Sequence, residues 1–147
     1  MLQVKILFYD PTTRQDIEGT VKEWDAAPEG KKCHGVLIAD SIAAVIIAPT
    51  EYTARTITAL PFCLTPKSRY NKFIWRLPTE TDFRLLLRNR RKVAYALAIV
   101  GDSVKSAPYW AQDPSSGEYI RVFANDCSVS RSNKHTARVR FFADYKR

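Results

Sequence analysis

Pro78 constrains this chain more than any other residue. It stands in the stretch Trp75-Arg76-Leu77-Pro78-Thr79-Glu80. Its ring fixes its own φ and pushes Leu77 into an extended conformation, so no helix can run into it from upstream. Thr79, directly behind, is a helix N-cap that would accept from the amide of Asp82, and Glu80 and Asp82 put negative charge in the first turn. Phe83, Leu86 and Leu87 follow at i, i+3 and i+4 as one apolar stripe, with Arg84, Arg88 and Arg91 on another face. A second helical segment over 92–100 runs to Gly101, a natural C-terminal cap. The corner therefore decides where a helix starts and which way it points. Trp75 is expected to anchor it from the core.

Strands surround this helical centre. Residues 2–10 alternate apolar and polar and stop at Pro11. The next polar stretch, to residue 32, is punctuated by Gly19, Pro28 and Gly30 and reads as a loop with one short regular piece. Two β-branched-rich runs, 34–40 and 43–49, meet at Asp40-Ser41 as a hairpin central to the core. Over 50–64 the steps between Ala54, Ile57 and Leu60 predict a helix capped by Thr50 and ended by Pro61. Beyond residue 106, short extended runs at 118–124, 127–131 and 137–145 alternate with polar loops, the pattern of an antiparallel meander. No repeat or low-complexity linker divides the 147 residues, which suit one domain with a sizeable core.

The longest apolar run carries Asp40 at its middle and is too short to span a bilayer, so no membrane insertion is expected. No secretory signal pattern opens the chain, and a cytoplasmic site of synthesis is expected. Cys33, Cys63 and Cys127 form no C-x-x-C pair, which points to free thiols. With only His34 and His135 beside them there is poor material for a metal site, and neither metal nor cofactor is expected. Cys33 and His34 would point to opposite faces of a strand, so no catalytic set is assembled. The net charge of +8 is uneven: residues 67–92 hold nine basic and two acidic groups, and residues 121–147 hold seven and two. Such blocks suit solvated faces or a polyanion partner.

The segments "YNKFIWRLPTETDFRLL", "PYW", "YIRVF" and "ARVRFF", with Gly101 between the first two, resemble the C-type-lectin-like domains typified by the C-terminal domain of the Legionella collagen-like protein. That family includes variable proteins of diversity-generating retroelements in bacteroidetes and phages. Trp75–Thr79 fit its W-R-L-P-T segment, Tyr109-Trp110 its Y-W strand, Tyr119 and Phe123 the strand after, and Val139-Arg140 its closing V-R. Ala111-Gln112-Asp113 replace the usual Ser-Ser-Thr. The resemblance covers residues 33–142. It implies an α+β, C-type-lectin-like fold: a twisted antiparallel sheet with two or three packed helices and long recognition loops.

"FAND" at 123–126 and "QDP" at 112–114 only echo the motifs of calcium-dependent sugar binding, and the three cysteines do not match the pair of the formylglycine-generating relatives. The expectation is therefore a non-enzymatic binding or virion-assembly domain. Its ligand-binding residues would be Tyr109, Gln112, Asp113, Tyr119, Arg121, Asn125, Asp126, Ser128, Ser130, Arg131, Asn133 and His135, large contact surfaces mixed with adaptable polar groups. The partner would be a protein or glycan on a cell surface, or neighbouring subunits in a phage particle. "CSVSRSN" contains only residue types that adenine-directed mutagenesis reaches from an Asn codon. The alternative is nucleic-acid binding through the basic blocks 67–92 and 121–147.

Overall fold

The computed structural model describes residues 3–13, 15–20, 29–40, 43–49, 52–54, 73–131 and 136–145. Among them the chain forms eleven strands and two helices: β1 (Gln3–Tyr9), β2 (Asp16–Thr20), β3 (Lys32–Ala39), β4 (Ala44–Ile47), β5 (Tyr52–Ala54), β6 (Trp75–Arg76), α1 (Glu80–Arg88), α2 (Arg90–Ile99), β7 (Pro108–Gln112), β8 (Tyr119–Phe123), β9 (Val129–Ser130), β10 (Ala137–Val139) and β11 (Phe142–Asp144). The class is α+β. The strands make two sheets, where the sequence suggested one: a six-stranded sheet in the order β2-β1-β3-β4-β11-β6, and a five-stranded one in the order β5-β10-β7-β8-β9.

The β3–β4 hairpin lies at the centre of the larger sheet, and its residues are buried on both faces. One face carries Val36, Ile38, Val45, Ile47 and Phe142 against Leu85, Leu86, Val93, Ala96 and Leu97 of the helices; the other carries Leu7, Leu37 and Ile46 toward Phe73 and Trp75. Double burial explains the continuous β-branched runs in place of alternation. Gly35 sits where β1 bulges against β3, with Leu7 opposite Gly35 but Phe8 opposite Cys33. At φ 156° a Cβ there would lie 2.3 Å from the Ile47 carbonyl oxygen, so only glycine lets β3 approach β4.

The Pro78 corner behaves as its chemistry requires. Thr79 Oγ1 accepts from Asp82 N at 3.2 Å and Asp82 Oδ2 accepts from Thr79 N at 2.8 Å, a reciprocal capping box. Arg76 grips the same carboxylate, at 2.6 and 3.3 Å, and reaches Asp144 of β11 at 2.7 Å. Burial works against the Arg76 charge, but its bonds to these two carboxylates outweigh it and push its pKa up. Strand, helix start and C-terminal strand are thus tied at one point. The Pro78 carbonyl accepts from Gln112 N at 3.0 Å, fixing the end of β7 as well.

Helix α1 lies between the two sheets. Leu85 and Leu86 face the larger one, while Phe83 joins Tyr109, Ile120 and Val122 of the smaller. Asn89 ends α1: its side chain donates to Leu85 O at 2.8 Å, and its φ of −118° turns the chain into α2. Helix α2 closes on Gly101, whose φ is +81°, with Gly101 N bonded to Ala98 O and Asp102 N to Leu97 O.

Two expectations are corrected. Tyr52–Ala54, placed in a helix by spacing, form strand β5 against β10, where β-branched and aromatic residues suit the pleat; Thr50 and residues 55–64 lie outside the described residues, as do Trp24 and Cys63. The C-terminal meander is interrupted too. After β9 the chain pairs β10 parallel with β7, then sends β11 to the other sheet beside β4. Phe141 and Phe142, adjacent but pointing into different clusters, show why: each sheet takes one of them.

Candidate functional site

The expected binding residues separate into four groups. Gln112, Asp113, Tyr119 and Arg131 cluster at the β7–β8 turn. Asp113 Oδ1 accepts from Ser115 N and Oγ at 3.0 and 2.7 Å, which hold its carboxyl below the usual range. Gln112 Nε2 donates to Gly117 O. Arg131 reaches across from beyond β9 to Glu118 at 3.2 Å and Asp113 at 3.4 Å. Of this group Asp113 and Arg131, with Glu80, Pro114, Ile120 and Val129, line a hollow of about 360 Å³ beside the start of α1.

Asn125, Asp126 and Ser128 lie at the opposite end of β8, in the turn to β9. Asp126 accepts from Ser128 N at 2.9 Å, the main cause of its lowered carboxyl pKa. Cys127, at φ +60°, tucks its side chain inward against Phe83 and Tyr109. Arg121 and Ser130 form a third group, side by side in the sheet with 3.0 Å between Nη2 and Oγ. Arg121 is buried, so it serves the sheet more than a surface. Tyr109 stands apart and is 1 % exposed. Its hydroxyl accepts from Lys105 N at 2.8 Å, so it holds a neighbouring loop in place. Asn133 and His135 lie outside the described residues.

A second hollow, of about 410 Å³, opens where the α1–α2 corner meets the 103–106 segment and the β8–β9 turn. Leu86, Leu87, Val93 and Val104 give it an apolar floor; Arg90, Arg91 and Lys105 stand around it, and Asn125 comes from the turn. A neighbouring hollow of about 360 Å³ shares Arg90 and Arg91 and adds Arg88 and Lys92. Among the described residues none of these five cations pairs with a carboxylate, whereas Arg84 on the same helix does, with Glu80 at 2.8 Å. Asp102, next in sequence to Ser103 of the lining, is taken by Arg140 at 3.1 Å. The result is positive charge held over apolar surface, with no carboxylate paired to it among the described residues.

The sequence showed the arginines of this corner but not the hollow. Its far wall comes from residues 103–106, beyond α2, and nothing in that short polar stretch marks it as a wall. Tyr95 was also missed. It is 50 % exposed, one helical turn on from Arg91.

No family model, curated protein or solved structure matches this chain. Among the described residues, no three His, Cys, Asp or Glu side chains gather as a metal would need, and no helix is long and apolar enough to cross a membrane. Burial pushes the Cys33 thiol up to about 12 and raises that of Cys127, so both stay protonated near neutrality. His34 turns away from Cys33, stacking on Tyr9 at 4.3 Å with Nε2 3.0 Å from Asp16 Oδ1. Thiolate chemistry at either cysteine has no support in this geometry.

Proposed function

We propose that this chain is a non-enzymatic binding domain for a polyanion, held through the α1–α2 corner. One observation carries this reading: Arg88, Arg90, Arg91, Lys92 and Lys105 surround two adjoining hollows without a carboxylate partner among the described residues. Surface cations that serve solubility or helix stability are commonly interleaved with acids, as Arg84 is with Glu80. Unpaired ones release counterions when a chain of phosphates or sulfates replaces them. The test is titration of heparin into the protein over a range of salt. Affinity should fall steeply as salt rises, and Arg88→Glu, Arg90→Glu and Arg91→Glu together should reduce it at least tenfold with the fold intact by circular dichroism. Unchanged heparin affinity in that variant would end this reading.

A second reading keeps the β7–β8 turn as the recognition surface, for a protein or glycan on a cell surface or for neighbouring subunits of a phage particle. It is favoured by Arg131, which ties the end of β9 to both sides of the β7–β8 turn beside one hollow and so preorganises the outer residues of that turn. The frame in this reading is the C-type-lectin-like one that residues 33–142 resemble. The packing of α1 against both sheets and the capped Pro78 corner agree with it. The product would be made in the cytoplasm and carried on a virion, with the segment around 127–133 open to diversification. On a glycan array, Tyr119→Ala and Arg131→Ala should abolish any signal that the wild type gives while charge reversal at Arg90 and Arg91 leaves it intact.

A further inference from the structure

We infer that the polyanion taken by the α1–α2 corner is a single-stranded nucleic acid, with a base seated in the apolar hollow. The inference rests on the polyanion reading and specifies its ligand.

Heparin or a nucleic-acid duplex would use the cations alone. The corner offers more. Behind Arg90, Arg91 and Lys105 lies a recess with an apolar floor of Leu86, Val93 and Val104. A ligand that fills it must carry a flat or compact apolar group within one side chain's reach of its negative charge. The bases of a duplex are stacked inside it and cannot enter such a recess, while its phosphates would touch only the rim. A single strand presents a base and a phosphate at each step. Polar groups also stand at the recess: Ser106 and the Asn125 amide, which can meet the hydrogen-bonding edge of a base.

Tyr95 extends the same logic. A half-exposed tyrosine one turn from Arg91 is an aromatic surface beside a phosphate-binding cation. Stacking on such a ring tolerates any base, since every base has a π-face. Arg88 and Lys92, around the adjoining hollow, would take the next phosphates. The path thus runs from the recess across Arg90 and Arg91 to Tyr95 without meeting an acidic side chain of α2, which has none. Asp126 belongs to the neighbouring β8–β9 turn but points its carboxylate at Ser128 N.

The experiment is fluorescence anisotropy with a labelled oligothymidylate and with a DNA duplex of the same length, at low and moderate salt. The wild type should bind the single strand at least tenfold more tightly. Ala94→Trp, which fills the recess from an exposed helix position without touching a charge, should weaken single-strand binding roughly tenfold, as expected for the loss of one seated base, and leave the duplex unchanged. Tyr95→Ala should weaken the single strand alone, by a smaller factor. Equal affinity for both forms, or single-strand binding that survives Ala94→Trp, overturns the inference but leaves the polyanion reading standing. If Arg90→Glu with Arg91→Glu changes neither titration, both fall. Circular dichroism of each variant guards against a folding defect, and Ala94→Lys, which adds charge at the same position, should strengthen duplex binding.

Discussion

Arg140 Nη2 lies 3.1 Å from Asp102 Oδ2, joining the end of β10 to the residue that follows the glycine cap of α2. The same guanidinium donates to Ala48 O at 2.7 Å and Ser103 O at 3.0 Å, and the residue is 1 % exposed. One buried cation therefore holds the end of β4 and the start of the wall that faces α2 across the larger hollow. Its other contacts among the described residues are carbonyls, so the buried guanidinium is met there by a carboxylate and by dipoles.

Replacing Arg140 by Met should destabilise the fold by about 3 kcal/mol, because a partly exposed Asp102 and two carbonyls lose their buried donor. Chemical denaturation would measure it. A loss under about 1 kcal/mol would mean that water reaches these groups and that the network matters little.

Tyr109→Phe is the milder probe of the same wall. It removes the acceptor of Lys105 N and should cost about 1 kcal/mol of stability. Heparin affinity should fall several-fold, since Lys105 is no longer held at the hollow. Unaltered affinity would show that Lys105 needs no such support.

Gly35→Ala should destabilise by about 3 kcal/mol, the order expected when a backbone must shift to admit a methyl group. The new Cβ would meet Ile47 O at 2.3 Å and Ile46 Cγ2 at 2.6 Å, in the central hairpin that both faces of the sheet hold in place. Thermal unfolding of the variant would report it; a neutral effect would mean that β3 and β4 can separate at the bulge without cost.

Asp10 gives the pH dependence. Its bond to Lys31, then those from the Thr12 and Thr13 amides, lower its pKa from 3.8 to about 2. A carboxylate with a depressed folded-state pKa adds stability that is complete above the unfolded value and is lost as pH falls through the folded one. The stability difference between wild type and Asp10→Asn should be constant at neutral pH, shrink below about pH 4 and lose its pH-dependent part as pH falls through about 2. A difference independent of pH would rule out the Lys31 pairing as its source.

Cysteine accessibility is directly measurable. In a Cys63→Ser variant, the two remaining thiols, Cys33 and Cys127, should react with a disulfide reagent at pH 8 far more slowly than in the unfolded chain, because desolvation raises both thiol pKa values, Cys127 being buried and Cys33 half-buried. Rapid labelling of the folded variant would reopen thiol chemistry for this chain.

Much of the local structure was legible in the sequence, because it is set by neighbours along the chain. Pro78, Thr79 and Asp82 are within four residues of one another, and their capping box needs no distant partner. Gly101 ends α2 for the same reason, and the two β-branched runs form β3 and β4 by pairing across a short turn. The helix expected over 50–64 shows the limit in its described part. Tyr52–Ala54 take their conformation from β10, some eighty residues further on, and spacing within the segment cannot report that.

The candidate site divides along the same line. By itself the sequence determined the charge of the α1–α2 corner, the arginines on that helix face and the turn chemistry of Asp113 and Asp126, all properties of side chains and their near neighbours. Only the tertiary structure decided which of these residues face solvent. It buried Tyr109 and Arg121, paired Arg131 with Asp113 and Glu118, and brought Lys105 and Asn125 beside Arg90 and Arg91. Those outcomes follow from long-range packing, above all from α1 lying between two sheets with Phe83 turned to one and Leu86 to the other. A hollow is made by surfaces that fail to meet, and that is settled only when the whole chain has packed.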